Sequence, residues 1–205
     1  MKSIFTLIIF LCVILQLQAQ NYILEAHIKQ LNSKRAYLAG FRGEETSIMD
    51  STSVLDGKFS FPLKNSYKPG LYRVIPDEVD NSGTGFFDFI FNAEDIKLEA
   101  DYDNLVGSMK ILTSKENEIL YVFLNNLKPY NRKFFYLRSL LDEYSPKDSF
   151  YVSVSDEFIE IQQNNSQVLM DLVDMLPGSI ASSIIKMNLL PIIHPSISGT
   201  ELTGF

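Results

Sequence analysis

The dipeptide Asp56-Gly57 constrains the fold of this chain more than any other short feature. A two-residue type I′ turn requires positive φ at both central residues, and Asp-Gly is among the pairs that meet this requirement most readily. The residues after the turn alternate between polar and aromatic, so Phe59 and Phe61 point to the same face of a strand. This stretch, residues 50–61, therefore predicts a β-hairpin in an antiparallel sheet with one face in water.

Short segments of the same kind recur up to residue 100. In the first of them, Tyr22, Leu24, Ala26 and Ile28 share one face, and polar residues occupy the other. Turn formers separate the segments, and no long crossover helix lies between them, which disfavours a parallel sheet. We predict an antiparallel β-sandwich domain over residues 21–112, with strands at residues 22–31, 35–41, 46–55, 58–63, 71–76, 86–91 and 96–100.

The apolar pattern changes to helical spacing after Ser108. Thr113 and Glu116 form a capping-box pattern, with Thr113 as the N-cap of a long helix. Pro129 falls inside this helix, and because the apolar stripe keeps its phase across Pro129, we expect a kink rather than a break. The stripe consists of Leu120, Phe123, Leu127, Tyr130, Phe134, Leu137 and Leu141.

A second long helix is predicted to begin after Ser145, with Ser145 as N-cap and Pro146 in the first turn. Pro177-Gly178 ends it, and Ser179 caps a short third helix that extends to about Asn188. Two long helices with a short connection pack as an antiparallel hairpin, so residues 113–190 are predicted to be a helical hairpin region. The second stripe consists of Tyr151, Val154, Phe158, Ile161, Asn165, Val168, Leu172 and Met175.

The predicted fold is therefore α+β, with an N-terminal antiparallel β-sandwich followed by a C-terminal antiparallel helical hairpin. Residues 191–205 contain Pro191 and Pro195 and show no clear closing element. We expect an irregular tail there, and this suggests a chain truncated before a further domain.

The N-terminus has the plan of a secretory signal peptide. Lys2 precedes an apolar run from Ile4 to Leu15, and Ala19 supplies a small residue at the exit. The run is shorter than the roughly 20 apolar residues that a spanning helix needs, although an uncleaved anchor is the alternative. We predict a signal peptide at residues 1–20, no stable membrane span after its cleavage, and a location in the periplasm or cell envelope.

Cysteine and charge exclude several functions. Cys12 is the single cysteine and lies in the predicted signal peptide, so the mature chain is expected to have no disulfide and no Cys-X-X-Cys centre. Leu11 before it is not the small residue that a lipoprotein signal requires. The formal net charge is −7, which argues against a nucleic-acid partner because such a partner requires a basic surface.

Residues with catalytic or metal-binding chemistry do not form a recognisable site. His27 is predicted on the polar face of the first strand and His194 lies far along the chain, whereas a site needs several convergent ligands. The segments 101–104 and 77–80 are acidic, but neither has the remaining ligands of a calcium loop, so we interpret both as polar turns. The serines lack a Gly-X-Ser-X-Gly elbow, and Gly83-Thr84-Gly85 is too short for a phosphate loop. We expect no catalytic, cofactor-binding or metal-binding residues and no cofactor.

Aromatic residues offer a candidate binding face. Phe86 alternates away from Phe87, Phe89 and Phe91, which together with Tyr72 are explained by core packing. At most one face, that of Phe86, is left for a partner. In the second helical stripe, a polar residue at position 165 either fixes the register of the helices or lies at a wet edge.

The hairpin motif resembles a known family. Asp50, Ser51, Val54, Gly57, Lys58, Phe59 and Phe61, followed by Val106-Gly107-Ser108 and a helical hairpin, resemble the N-terminal region of Gram-negative envelope thiol:disulfide oxidoreductases of the TlpA-like, AhpC/TSA-related group. The resemblance covers residues 22–112 best. In that group, a β-domain of unknown function and a helical segment precede a thioredoxin-like domain with a catalytic Cys-X-X-Cys. The present sequence has no such pair, so no catalytic residue carries over.

Three functions remain open from the sequence. The first is a non-catalytic accessory or interaction region of an exported thiol:disulfide oxidoreductase-like protein, whose protein partner is its own catalytic domain, a second copy or another envelope protein. The alternative is a free-standing envelope binding module for a protein, peptide or glycan. A hydrolase that uses acids not paired in the sequence is the third.

Overall fold

The computed structural model describes residues 22–43, 45–76 and 85–197. The predicted signal peptide, the acidic segment 77–80, Gly83-Thr84 and the last part of the tail lie outside the described residues. The chain first forms strands and then helices. The strands are β1 (Tyr22–Lys29), β2 (Arg35–Arg42), β3 (Glu45–Ser53), β4 (Lys58–Leu63), β5 (Gly70–Ile75), β6 (Phe87–Phe91), β7 (Ile96–Asp101) and β8 (Lys110–Thr113). The α-helices are α1 (Leu105–Ser108), α2 (Lys115–Glu143), α3 (Ser149–Met175) and α4 (Ile180–Lys186).

The strands form two sheets of four strands each. One has the order β4-β1-β7-β8 and the other the order β3-β2-β5-β6. Alternation along the strands sends apolar side chains into the space between the sheets, because successive residues point to opposite faces. The predicted α+β class, with a β region followed by helices, is confirmed. The fully buried side chains of this core include Leu24, Ile28, Leu38, Phe61, Leu63, Val74 and Phe89.

One strand pair is parallel, which the sequence did not predict. Strands β1 and β7 run in the same direction, with Leu24 opposite Ile96, while the other pairs are antiparallel. A parallel pair requires a long connection between its strands, usually a helix. Here the connection includes the whole second sheet, so no helix is needed.

The Asp56-Gly57 turn is confirmed, but the predicted hairpin around it is wrong. Asp56 has φ 51° and Gly57 has φ 72°, as a type I′ turn requires. Only Leu55 and Lys58 form a bridge across it. Beyond that bridge β3 pairs with β2, and β4 pairs with β1 in the other sheet. The turn is held against β1, because the N–H of Ile28 donates to the C=O of Gly57 at 2.8 Å.

The long helix α2 begins one residue later than predicted. Ser114, not Thr113, is the N-cap, and its Oγ accepts a hydrogen bond from the N–H of Asn117 at 3.2 Å. The carboxylate of Glu116 is therefore free to contact other elements, as described below. The helix continues through Pro129, so the prediction that the chain does not break there is confirmed.

The helix α3 begins four residues later than Ser145. Asp148 is its N-cap and accepts from the N–H of Phe150 at 2.8 Å, after a turn that leads out of α2.

Two predicted stripe members near the end of α3, Val168 and Met175, are exposed, while Leu169 and Val173 are buried. A helix of 3.6 residues per turn drifts by about 20° per heptad from the assumed seven-residue repeat, so the buried face moves by about 60° over three heptads. Ser179 caps α4 as predicted, accepting from the N–H of Ser182.

The helices pack on each other and on one sheet. Ile90 of β6 and Leu71 of β5 belong to an apolar cluster with α2, α3 and α4, so the helical region covers one side of the β3-β2-β5-β6 sheet. No helix among the described residues is long and apolar enough to cross a bilayer.

Candidate interaction surface

The outer face of the β3-β2-β5-β6 sheet is only partly covered by the helices. In the register of this sheet, Arg73 lies opposite Ala39 on one side and Asp88 on the other, so all three share the outer face. Ile48 is opposite Ala39 and belongs to the same face. We call the set Tyr37, Phe41, Ile48, Arg73, Asp88 and Phe86 the Arg73 surface.

Arg73 is held rigidly at the centre of this surface. Its Nε donates to Oδ1 of Asp88 at 2.6 Å and its Nη2 to Oδ2 at 2.9 Å, which is a bidentate ion pair. The guanidinium carbon lies 3.6 Å from the ring centroid of Phe86 and 5.1 Å from that of Phe41. Stacking of this kind fixes a cation over aromatic faces. The Arg73 surface therefore presents aromatic rings that are already ordered around the ion pair of Arg73 and Asp88.

The strand β3 is exposed at seven of its nine residues, and the other two, Asp50 and Thr52, are half-buried. Its nine residues include no buried side chain, and Ile48 is 61% and Met49 39% exposed. β3 is an outer strand of its sheet, and within the described residues it pairs along one side only, with β2. A register shift between Leu38 and Ala39 places one extra residue in β3. An edge strand of this length is a template for pairing with another chain.

A polar groove lies on the other sheet. It has a volume of about 560 Å³ and is lined by charged side chains of β1, β4 and β7, with Thr52 and Ser53 of β3 beside them. Lys97 and Glu25 approach to 3.1 Å, and Nδ1 of His27 lies 4.0 Å from Glu99. These pairs are partly exposed, so each contributes little to stability. The groove offers alternating charges to a polar ligand.

Other residues singled out in the sequence occupy structural positions. His27 lies on the polar face of β1 as predicted, whereas His194 lies in the tail with its Nδ1 2.7 Å from Oγ of Ser196. Asp101 pairs with Lys29 at 3.8 Å, and Asn104 caps α1 by accepting from the N–H of Gly107. Among the described residues, no three His, Cys, Asp or Glu side chains converge as a metal site.

The aromatic residues considered for a binding face divide into core residues and one surface residue, Phe86. Phe87, Phe89 and Phe91 are at most 2% exposed, and Tyr72 stacks on Phe89 inside the core. Phe86 is 37% exposed and faces Arg73. The sequence identified Phe86 as the member that alternates away, but it did not identify Arg73, whose partner Asp88 lies on the neighbouring strand. Asn165 is half-buried on α3.

A buried network that the sequence did not predict joins the Arg73 surface to the helices. The hydroxyl of Tyr121 on α2 donates to the C=O of Asp88 at 2.9 Å. Burial raises the pKa of this tyrosine above its ordinary value, and the nearby Asp88 carboxylate adds to the rise. Asp88 thus contacts α2 through its backbone and Arg73 through its side chain.

The first turn of α2 supplies the rest of this network. The carboxylate of Glu116 accepts from Nδ2 of Asn92 at 2.6 Å and from the N–H of Ala181 at 3.0 Å. Ser114 donates to Glu94 at 2.5 Å. These contacts tie the β6–β7 turn to both α2 and the start of α4. In the sequence, the polar residues concerned look like an ordinary solvated first turn.

Comparison with curated proteins and with solved structures gave no match. A family model described as Domain of unknown function (DUF4369) matches residues 22–120. The matched range contains both sheets and the start of α2, including Glu116 and Asn117. The Arg73 surface and the polar groove therefore both lie within the range that this family model matches.

Proposed function

We propose that the chain is a non-catalytic accessory or interaction region of an exported thiol:disulfide oxidoreductase-like protein of the periplasm or cell envelope. Docking is assigned to the Arg73 surface together with β3. The redox context rests on the resemblance of the hairpin motif alone, and the export on residues 1–20. The observation that carries the docking role is the nine-residue edge strand β3, which has no buried side chain and includes exposed Ile48 on the sheet face that also carries Phe86.

The composition of the Arg73 surface favours a protein partner. Interface centres are enriched in aromatic residues and Arg, and this face offers Phe86, Phe41, Tyr37 and Arg73. The guanidinium is already ordered by its bidentate pair and by the Phe86 ring, so a partner does not have to order it. Preordered side chains lower the entropic cost of association. The free edge of β3 adds backbone hydrogen bonds to these anchors.

Site-directed photo-cross-linking tests this proposal. A photo-reactive amino acid replaces Ile48 in the mature chain, and a control chain carries it at Val152, which is 53% exposed on α3. After irradiation in envelope extract of the source organism, we expect position 48 to capture a protein or domain with a thioredoxin-like Cys-X-X-Cys, identified by mass spectrometry. Adducts that are the same from both positions, or that never include such a domain, would refute the docking role.

An insulin-reduction assay tests the non-catalytic part separately. The mature chain is expected to show no activity above the rate with dithiothreitol alone, because it lacks a thiol once residues 1–20 are removed. A clear acceleration of insulin precipitation would contradict this part of the proposal and leave the docking part standing.

The second candidate function is a free-standing envelope binding module for a protein, peptide or glycan. It is favoured by the polar groove, whose alternating charges suit a sugar or a charged peptide. Titration with glycan and peptide panels distinguishes the two candidates. A ligand whose affinity falls in Glu99→Gln but not in Ile48→Ser supports the groove, and a ligand with the opposite response supports the Arg73 surface.

A further inference from the structure

The tail segment Pro191–Ile197 crosses the α2–α3 hairpin and is held there by two buried polar side chains. Gln162 of α3, 5% exposed, accepts from the N–H of Ile193 at 2.7 Å and donates to its C=O at 3.1 Å. Arg138 of α2, 6% exposed, donates to the C=O of Pro195 at 3.0 Å. Both side chains recognise the tail backbone.

The tail side chains alternate between the hairpin and water. Ile193 is half-buried and Pro195 is buried, while Ile192 and His194 are exposed. Residues 191–194 have no regular secondary structure, and a turn follows in which the N–H of Ile197 donates to the C=O of His194 at 3.1 Å. Ile193 packs against the buried apolar cluster of Leu141, Val154 and Phe158. We call this site the Gln162 groove.

The polar groups of the Gln162 groove depend on the tail for their partners. Buried polar atoms without hydrogen bonds are costly, so the tail that covers these side chains must also supply hydrogen-bond partners for them. Nε2 of Gln162 has a second acceptor, the C=O of Phe158, but within the described residues Oε1 is satisfied by Ile193. Arg138 also binds Asp142 at 2.7 Å, and its Nε is buried without a hydrogen-bond partner among the described residues. The Gln162 groove thus presents hydrogen-bonding groups that match the N–H and C=O groups of a peptide backbone.

We propose that the Gln162 groove is a binding site for a peptide with the pattern Ile-X-Pro, and that residues 191–197 occupy it in cis as a latch. The latch fixes the direction in which the chain leaves the helical hairpin. Gln162 and Arg138 supply recognition of the backbone, and the apolar residues select a β-branched side chain followed two residues later by proline. This role is independent of docking at the Arg73 surface.

The test uses the full mature chain with the latch released. Ile193→Asp places a carboxylate against the apolar residues of the groove and should free the tail without altering α2 or α3. A labelled synthetic peptide with the wild-type sequence of residues 190–197 is then titrated by fluorescence anisotropy. We expect saturable binding to Ile193→Asp, at least about tenfold tighter than to the wild type, in which the tail already fills the groove. A peptide carrying Asp at the Ile193 position should not bind.

A matched pair of glutamine variants shows whether the groove is responsible. In the Ile193→Asp background, Gln162→Leu should weaken peptide binding about tenfold or more, because two hydrogen bonds to the peptide are lost. Gln163→Leu, at an exposed position on the same helix, should leave it unchanged. Absence of peptide binding to folded Ile193→Asp overturns the proposal, as does equal binding to the wild type or an equal effect of the two leucine substitutions.

Amide exchange by nuclear magnetic resonance covers the case in which Ile193→Asp does not fold. In the wild-type chain the Ile193 amide should be protected, because it donates to the buried Oε1 of Gln162. The protection should fall at least tenfold in Gln162→Leu and persist in Gln163→Leu. An unprotected Ile193 amide in the wild type would overturn the latch.

Discussion

The side-chain amide of Asn117 pairs with both backbone groups of Ile90. Its Oδ1 accepts from the N–H and its Nδ2 donates to the C=O, each at 2.8 Å. A helix residue thereby takes the place of a neighbouring strand at β6, the last strand of its sheet. The opposite edge of the same sheet, β3, is left exposed. Among the described residues, one edge of the sheet is closed by Asn117 and the other has no partner, which is consistent with the proposed docking at β3.

Replacement of Asn117 by leucine should destabilise the protein strongly. Asn117 is fully buried, and Asn117→Leu leaves the N–H and C=O of Ile90 without partners. Each unpaired buried group costs about 1–3 kcal/mol, so we expect the free energy of unfolding to fall by about 2–6 kcal/mol in urea titrations. Asn125→Leu, at an exposed position of the same helix, is the control and should change it by less than about 0.5 kcal/mol. Similar losses in both variants would contradict the strand-like role of Asn117.

Gly43 and Gly57 share the left-handed backbone conformation, so alanine substitutions at the two positions distinguish backbone strain from steric conflict. Gly43 has φ 63° and Gly57 has φ 72°, but only at Gly57 would a Cβ atom meet another group, the C=O of Ile28 at 2.2 Å. Gly43→Ala should lower the free energy of unfolding by about 1 kcal/mol, because of the left-handed backbone conformation alone. Gly57→Ala should cost about 2–4 kcal/mol, because β1 must also move away from the turn. Thermal or urea unfolding measures both, and equal losses would show that the turn is not packed against β1.

The sequence predicted which side chains are buried better than it predicted which strands are neighbours. Phe59 and Phe61 are in the core, as their alternation indicated. Alternation assigns a face to each residue but not a partner to each strand. The strands on either side of Asp56-Gly57 belong to different sheets, because β3 pairs with β2 whereas β4 pairs with β1. Local turn chemistry alone could not show this.

The helix starts were misplaced for a related reason. Thr113 and Ser114 are both good N-cap residues, and the capping-box pattern with Glu116 favours Thr113. Starting at Lys115 brings Asn117 to the edge of β6 and Glu116 to the start of α4, so contacts with distant elements decide between the two caps. The Arg73 surface was missed in the same way, because Arg73 and Asp88 meet only when β5 and β6 pair.

Glu116 should matter more for stability than its exposed neighbour Glu118. Glu116 is buried, and its carboxylate holds Asn92 and the first turn of α4. Glu116→Ala should lower the free energy of unfolding by about 1–3 kcal/mol, since two hydrogen bonds to a charged group are lost in the interior. Glu118→Ala removes only an exposed ion pair with Lys115 and should cost less than about 0.5 kcal/mol. Chemical denaturation of the two variants provides the comparison, and a larger loss in Glu118→Ala would contradict this assignment.

Tyr121 should make the protein sensitive to alkali. Burial raises the pKa of its hydroxyl well above 10, the ordinary value that the unfolded chain retains. Above that pH the unfolded state releases a proton that the folded state keeps, so stability falls as pH rises. The contribution of this one group is present in full below pH 10 and is lost at up to about 1.4 kcal/mol per pH unit above it.

Urea unfolding of the wild type and Tyr121→Phe between pH 8 and pH 11 measures this effect. Near pH 8, Tyr121→Phe should be less stable by about 1 kcal/mol, because the hydrogen bond to the C=O of Asp88 is lost. Above pH 10 the difference should shrink and then reverse, since the variant no longer carries the titrating group. Tyr72 and Tyr130, whose pKa values burial also raises, contribute equally to both chains and cancel. Tyr136→Phe, at an exposed position, should follow the wild type throughout. If the stability difference between wild type and Tyr121→Phe did not change with pH, the Tyr121 hydroxyl would be accessible to water in the folded protein. In that case α2 would not cover the backbone of Asp88.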